Sequence, residues 1–270
     1  MNNVAVIMSV YEQDNPKYLV MALDSIINQT YKNCSLYIAV DGTVPEPIKV
    51  ILSDYQKNIA NISVFYHSTN LGLAYRLNEL IDKVVNHYKY IARMDADDVS
   101  APNRLDQQVK FLDEFTDVGV LGSSVNEIDA LGQFVCYKSM ETEHKILSAN
   151  ILKKCPFNHP TVMFRGKVFE DGYRYKNALK NTQDYYLWVD LLAAGIKFAN
   201  IDEALLDFRV NSEFYSRRGV KKAKNDFNAR LYAGKKLNIS TIKAVFFAVL
   251  IYGVRVSPAF VKKMLYRFAR

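Results

Sequence analysis

The stretch "YIARMDADDVS", residues 90–100, decides how the chain is read. Its first half is apolar and strand-like. Its second half puts Asp95, Asp97 and Asp98 within four positions. Carboxylates at i and i+2 just past a strand can turn toward one point if the chain bends there. A hard divalent cation with an octahedral oxygen preference, Mg2+ or Mn2+, suits that set and keeps positions open for phosphate oxygens. The plain alternative is an acidic loop, or an N-cap for the helix beginning near Pro102.

The surroundings favour the cation. Upstream, "VAVIMSV" (4–10), "SLYIAVDG" (35–42) and "ISVFYHS" (62–68) read as strands. Between them, residues 15–30, the "PEPIKVILSDYQKN" segment and residues 72–85 show helical spacing. Residues 102–115 predict a fourth helix and "VGVLGSSV" (118–125) a fifth strand. This βαβα alternation predicts an α/β fold, with a mostly parallel central sheet and helices on both faces. Ligands of such sheets bind beyond the carboxyl ends of the strands. Asp41, Asn70 and Asp95 all fall at or just after strand ends, so one crevice can hold all three.

After about residue 130 the pattern loosens. "TVMF" (161–164) predicts a short strand, "DYYLWVDLLAAG" (184–195) an amphipathic helix, and "IKFANIDEALLDFRVN" one or two more strands. A first half is expected over about 1–125, a second over about 126–218, and a basic helical tail over 219–270.

The charge is divided unevenly. Residues 217–270 hold 14 Lys or Arg against one acid, Asp226, a net +13. Residues 1–216 hold 21 bases against 27 acids, a net −6. The overall +7 therefore describes the tail. Cys34, Cys136 and Cys155 match no disulfide framework and no zinc spacing, which fits a reducing compartment. The N-terminus shows no secretory leader, and no apolar run reaches the roughly 20 residues of a membrane span.

Other candidates are weaker alone. Asp41, in "VDG", can accept hydrogen bonds from a base or ribose, or simply make an Asp-Gly turn. Ser9, Tyr11 and Glu12, after the first strand, suit a nucleotide cradle or an ordinary loop. In "NLGLAYRLN" (70–78), Gly72 starts a helix and Arg76 follows one turn on, which suits a phosphate or a capped helix.

Together these motifs resemble the family 2 glycosyltransferases of the GT-A fold. "VIMSVY", Asp41, "NLGLAYRLN", "ARMDADD" followed by "PNRL", "HPTVMFR" and "QDYYLW" occur in that family's order over roughly residues 4–218. The closest likeness is to bacterial O-antigen and capsule enzymes that extend an undecaprenyl-diphosphate-linked saccharide. The resemblance implies that Asp41 binds the uracil of a UDP-sugar and that Ser9 to Glu12 wrap the nucleotide. It puts the D-x-D motif on Asp95-Ala96-Asp97, with Asp95 on ribose or metal and Asp97 on Mn2+ or Mg2+. Asp98 then holds the sugar or braces the loop, and Arg93 neutralises phosphate.

Family base and acceptor positions fall later in the chain. The general base falls on Asp184 after Gln183, where the commoner Glu is replaced. A helix N-terminus is expected to lower the Asp184 pKa, and an N-cap is its plain reading. His159 is read as lining the acceptor site, as sitting near the metal, or as structural. Arg209, Arg217 and Arg218 are read as closing over the diphosphate, or as a solvated edge. Trp188 is read as stacking on sugar, or as core.

The resemblance implies an inverting transfer, best guessed from UDP-galactose, with UDP-glucose and UDP-N-acetylhexosamines open. The acceptor is a GlcNAc or GalNAc on a lipid diphosphate. An interfacial tail on anionic lipid fits a cytoplasmic protein peripheral to the inner membrane. A nucleic-acid grip by the tail gives no reason for the strand-end acids, so no nucleic-acid partner is expected. A metal-dependent nucleotidyltransferase remains the other rival.

Overall fold

The computed structural model describes residues 2–179, 181–210 and 220–257. The chain opens with β1 (Asn2–Tyr11), α1 (Pro16–Ile27), β2 (Cys34–Asp41), α2 (Glu46–Asn58), β3 (Ile62–Tyr66), α3 (Leu73–Val84) and β4 (Tyr88–Met94). It continues through β5 (Val99–Ser100), α4 (Arg104–Glu114), β6 (Val118–Ile128), β7 (Phe134–Lys138), α5 (His144–Ala149), β8 (Met163–Arg165), α6 (Gly166–Glu170), α7 (Gln183–Ala193) and β9 (Lys197–Arg209). Two helices follow, α8 (Val220–Lys236) and α9 (Thr241–Val256).

Local chemistry explains the first elements. Asn15 caps α1, its Oδ1 accepting from the Lys17 N–H at 2.9 Å, and Pro16 supplies the preset φ of a first helical residue. Leu19, Ala22, Leu23 and Ile26 then face inward at helical spacing.

One sheet gathers the strands in the order β3-β2-β1-β4-β8-β6-β9-β5, with β7 on β6. The four strands β3, β2, β1 and β4 are parallel. β8 then enters antiparallel to both β4 and β6, and β6 pairs parallel with β9. The expected parallel order therefore belongs to the first half, and the second half is mixed. The "IKFANIDEALLDFR" segment is a single long strand, its pairing with β6 broken by irregularities. The β6–β7 hairpin and α5 lie where the sequence pattern was loose.

Helices cover both faces as expected. α1, α2 and α4 pack on one face through Leu23, Leu52 and Leu105. α3, α7 and α8 pack on the other through Leu77, Trp188 and Ala229. Parallel register puts Tyr11 opposite Asp41 and Met8 opposite Met94. The carboxyl ends of β1, β2 and β4 thus open on one crevice.

Candidate active site

Asp41 ends β2 and is buried. Its Oδ1 accepts from the Leu71 N–H and from Arg76 Nε, both at 2.8 Å, and its Oδ2 accepts from the Gly72 N–H at 2.8 Å. Gly42 follows at φ 87°, and a Cβ there would sit 3.1 Å from the Asn70 Cβ. The Asp-Gly step therefore needs glycine on two counts. Arg76 also donates to Glu79 Oε2 at 2.9 Å and to the Thr69 carbonyl at 2.6 Å. It is buried, and in this structure it braces Asp41 rather than presenting a free phosphate ligand. A cavity of about 350 Å³ opens alongside, lined by His67, Thr69, Leu71, Tyr75, Arg76 and Glu79. Ser9 lies in β1 beside Ala39, Tyr11 ends that strand, and Glu12 and Asn70 are exposed at the crevice.

Beyond β4 the three acids converge. Carboxylate oxygens of Asp95, Asp97 and Asp98 lie within 4.8 Å of one another. Burial, then the Asp95 charge, pushes the Asp97 carboxyl up to about 6. Burial and both neighbouring carboxylates raise Asp98 well above the ordinary range. Asp98 Oδ1 accepts from the Arg209 N–H at 2.8 Å, while its buried Oδ2 has no partner among the described residues. Crowded like charges and an orphaned buried oxygen fit a divalent cation, which would relieve both. Asp98 is 1% exposed, and the Arg209 N–H bond makes it a brace within the acidic cluster.

Two arginines hold this loop. Arg104, fully buried, donates through Nη2 to the Arg93 carbonyl at 2.7 Å and through Nε to Gln108 Oε1 at 3.1 Å. Arg209 donates through Nε to the Asp97 carbonyl at 2.9 Å and through Nη1 to the Asp129 carbonyl at 3.0 Å. Its guanidinium lies 4.1 Å from the centre of the Tyr18 ring. Arg209 is thus a buried brace at the end of β9, which corrects its reading as part of a closing loop. Arg217 and Arg218 lie outside the described residues.

Arg93 connects the cluster to the second half of the chain. It pairs with Asp95 through Nη2, while its buried Nε and Nη1 have no partner among the described residues. Its positive charge helps burial hold His159 well below the ordinary imidazole range, so His159 is neutral at neutral pH. His159 Nε2 lies 2.8 Å from the Tyr175 hydroxyl. Tyr175 is buried and feels Arg93, Asp184 and Asp95 together. Asn78 of α3 brackets it, donating to the Tyr175 carbonyl at 2.8 Å and accepting its N–H at 2.9 Å.

Asp184 sits in the first turn of α7. Burial raises its pKa against the pull of the helix backbone N–H groups, Lys222 and Arg93. The direction is opposite to the one expected from a helix N-terminus alone, because desolvation outweighs the dipole here. The turn into α7 passes through Thr182 at φ 65°, a left-handed conformation that costs a β-branched residue roughly 1–3 kcal/mol. Gln183 is buried, with its Oε1 unpartnered among the described residues. Trp188 is fully buried against Phe157, Phe164, Phe198 and His159, which makes it core and corrects its reading as a sugar platform.

Sequence reasoning missed Asn78, Tyr175 and Lys222. Asn78 closes the quoted "NLGLAYRLN" motif, the one signal that could have drawn attention to it.

The geometry has close relatives. The model of Glycosyl transferase family 2 matches residues 5–172. The O-antigen biosynthesis glycosyltransferase WbnJ of Escherichia coli is 32% identical over 213 residues, 78% of this chain and 80% of that protein. The E. coli UDP-Gal:alpha-D-GlcNAc-diphosphoundecaprenol beta-1,3-galactosyltransferase is 30% identical over 230 residues, 84% of this chain and 82% of that protein. S. aureus TarS 1-349 in complex with UDP superposes with a TM-score of 0.67 at 19% identity, covering 92% of this chain and 70% of that one. The mannosyltransferase PcManGT from Pyrobaculum calidifontis, in complex with GDP-Man and Mn2+, superposes with a TM-score of 0.64 at 13% identity, covering 99% of this chain and 79% of that one. These two likenesses are of fold alone, and the fold is GT-A.

Proposed function

The chain belongs to glycosyl transferase family 2, and from that premise we propose an inverting transfer of a hexose from a UDP-sugar to a lipid-diphosphate-linked GlcNAc or GalNAc. UDP-galactose is the donor to try first, because one relative carries that donor and a diphosphoundecaprenol acceptor in its name. UDP-glucose and UDP-N-acetylhexosamines are the next candidates. The product is a growing O-antigen or capsule repeat, made at a membrane surface that the basic tail contacts.

One observation carries the reading. Arg93 is paired with Asp95 of the acidic cluster, and its charge also reaches the raised-pKa carboxylate Asp184, which supports a cation site and a base acting together. In the proposed reaction Asp41 and the β1 loop hold the nucleotide. Asp95, Asp97 and Asp98 would hold Mn2+ or Mg2+, which supplies charge neutralisation to the departing diphosphate. Arg93 adds fixed positive charge beside it. Asp184 takes the proton of the acceptor hydroxyl as that oxygen bonds to the anomeric carbon. The bond from that carbon to the UDP oxygen breaks on the opposite face, so an α-linked donor yields a β-linked product and UDP.

The test is a panel of UDP-sugars with Mn2+ and a synthetic GlcNAc-diphosphate-lipid. UDP release that Asp97→Ala abolishes, with a β-linked product by NMR, is the expected outcome. No UDP release with any sugar nucleotide sinks the reading, and an α-linked product overturns the inversion.

A further inference from the structure

The two C-terminal helices form an antiparallel hairpin whose inner side is bound to the catalytic half. α8 runs alongside α7 in the same direction. Asn225 Nδ2 donates to Asn181 Oδ1 at 2.7 Å, the Arg230 guanidinium lies 4.0 Å from the centre of the Tyr185 ring, and the Tyr232 hydroxyl donates to Asp190. These contacts climb both helices together, Asn225 to Tyr232 against Asn181 to Asp190, so α8 begins about two turns before the level at which α7 starts. Lys222 stands one turn before Asp226 at that end, and its charge is felt at Asp184.

α9 folds back along α8 through a seam of small residues. Ala229, Ala233, Ala244 and Ala248 are buried, and a Cβ on Gly234 would lie 2.4 Å from the Ala244 Cβ. Arg255 Nε donates to Asp226 Oδ2 at 2.8 Å, which returns the end of α9 to within a turn of Lys222. The seam uses one face of α9. The opposite face presents Ile242, Val245, Phe246, Val249, Leu250 and Val256 to solvent, with Ile242 83% and Phe246 61% exposed. Their spacing follows one helical stripe, and α9 contains no acid. No helix among the described residues is long and apolar enough to cross a membrane.

An exposed apolar stripe of this length needs an occupant. Charge selects which one. Residues 217–270 carry a net +13, and their single acid, Asp226, is paired with Arg255. A second copy pairing through the same helix would bring like charge to like charge. An anionic bilayer supplies both an apolar layer and the opposite charge.

We propose that the outer face of α9 seats on an anionic lipid surface and that the hairpin thereby delivers the diphosphate of a lipid-linked acceptor to Lys222, at the end of the hairpin nearest the start of α7. The proposal rests on the lipid-linked acceptor of the preceding reading. The lipid tail stays in the bilayer under α9, the Lys222 ammonium meets the diphosphate as a point charge, and the acceptor sugar extends to Asp184.

The experiment uses the full chain and two readouts. Flotation with phosphatidylcholine vesicles, with and without phosphatidylglycerol, needs no turnover. The triple variant Phe246→Ser, Val249→Ser, Leu250→Ser changes only exposed positions, and its circular dichroism and melting should match the parent. Its vesicle binding should weaken on the order of tenfold or more, and KM for a vesicle-embedded acceptor should rise in parallel. Its rate with a short-chain, water-soluble diphosphate acceptor should hold. Lys222→Ala should float normally, yet raise KM for the diphosphate acceptor far more than for the same sugar on a neutral aglycone, with Lys222→Arg restoring most of the loss. Parent-like flotation of the triple variant, or a dimer that it dissociates while vesicle binding persists, overturns the docking. Equal KM effects of Lys222→Ala on both acceptors overturn the delivery. Vesicle binding without transfer to any acceptor instead strikes the transferase reading.

Discussion

The Asn78 side-chain amide brackets the backbone of Tyr175, accepting its N–H at 2.9 Å and donating to its carbonyl at 2.8 Å. Tyr175 in turn places its hydroxyl 2.8 Å from His159 Nε2. One residue of α3 thereby fixes the segment that carries the His159 partner, whose hydroxyl feels both Arg93 and Asp184. Asn78→Ala leaves two buried backbone groups unsatisfied and should cost roughly 1–3 kcal/mol in urea unfolding. Tyr175→Phe keeps the ring and should cost about 1 kcal/mol. A loss below about 0.5 kcal/mol for Asn78→Ala would mean that the bracket holds nothing.

The pH dependence of catalysis follows from the raised Asp184 pKa. The base works only when ionised, so kcat/KM should rise with pH through a limb lying above the ordinary carboxylate range near 3.9. Asp184→Asn should lower kcat by about 10²–10⁴. The same burial means that the ionised carboxylate opposes folding. Its contribution to stability is present below the unfolded pKa and is lost as pH rises through the folded one. Asp184→Asn should therefore melt no lower than the parent at neutral pH. A substitution that lost both activity and stability would assign Asp184 a structural role.

Cation binding should be linked to protons. Asp97 and Asp98 are raised by burial and by their like-charged neighbours, so protons compete with the ion. The melting temperature gained on adding Mn2+ should be larger at pH 8 than at pH 5, and Asp97→Asn should remove most of the gain. A shift independent of pH would place the ion elsewhere.

Trp188 separates core from platform. Trp188→Ala should cost about 3–5 kcal/mol, as for other buried large aromatics. Trp188→Phe should retain fold and leave the acceptor KM within about twofold, since its neighbours are Phe157, Phe164 and Phe198. A selective rise in acceptor KM for the Phe variant would put the indole back in the sugar site.

Arg104 tests the brace under the acidic loop. Burial depresses its pKa to about 9, and its Nη2 holds the Arg93 carbonyl. Arg104→Met should destabilise by roughly 1–3 kcal/mol through that unsatisfied carbonyl and the loss of the Gln108 contact. The variant's Mn2+ affinity should also fall, read by the same thermal shift.

What the sequence determined by itself was the order of elements and the local chemistry at strand ends. Helical and alternating periods are short-range, so β1 to β4, α1 to α4 and α7 were legible, as were Asp41, the acids at 95–98 and Asp184. Their meaning depended on distant partners. β8 enters antiparallel between β4 and β6, and that choice brings His159 toward Arg93. Arg209 reads as a loop residue until β9 sets it against Asp98, 111 positions away. The direction of the Asp184 pKa reversed because a helix dipole is local and desolvation is not. Charge composition marked the tail as basic. Only packing decided which face of α9 is consumed by Gly234 and the alanines and which apolar stripe is left outside.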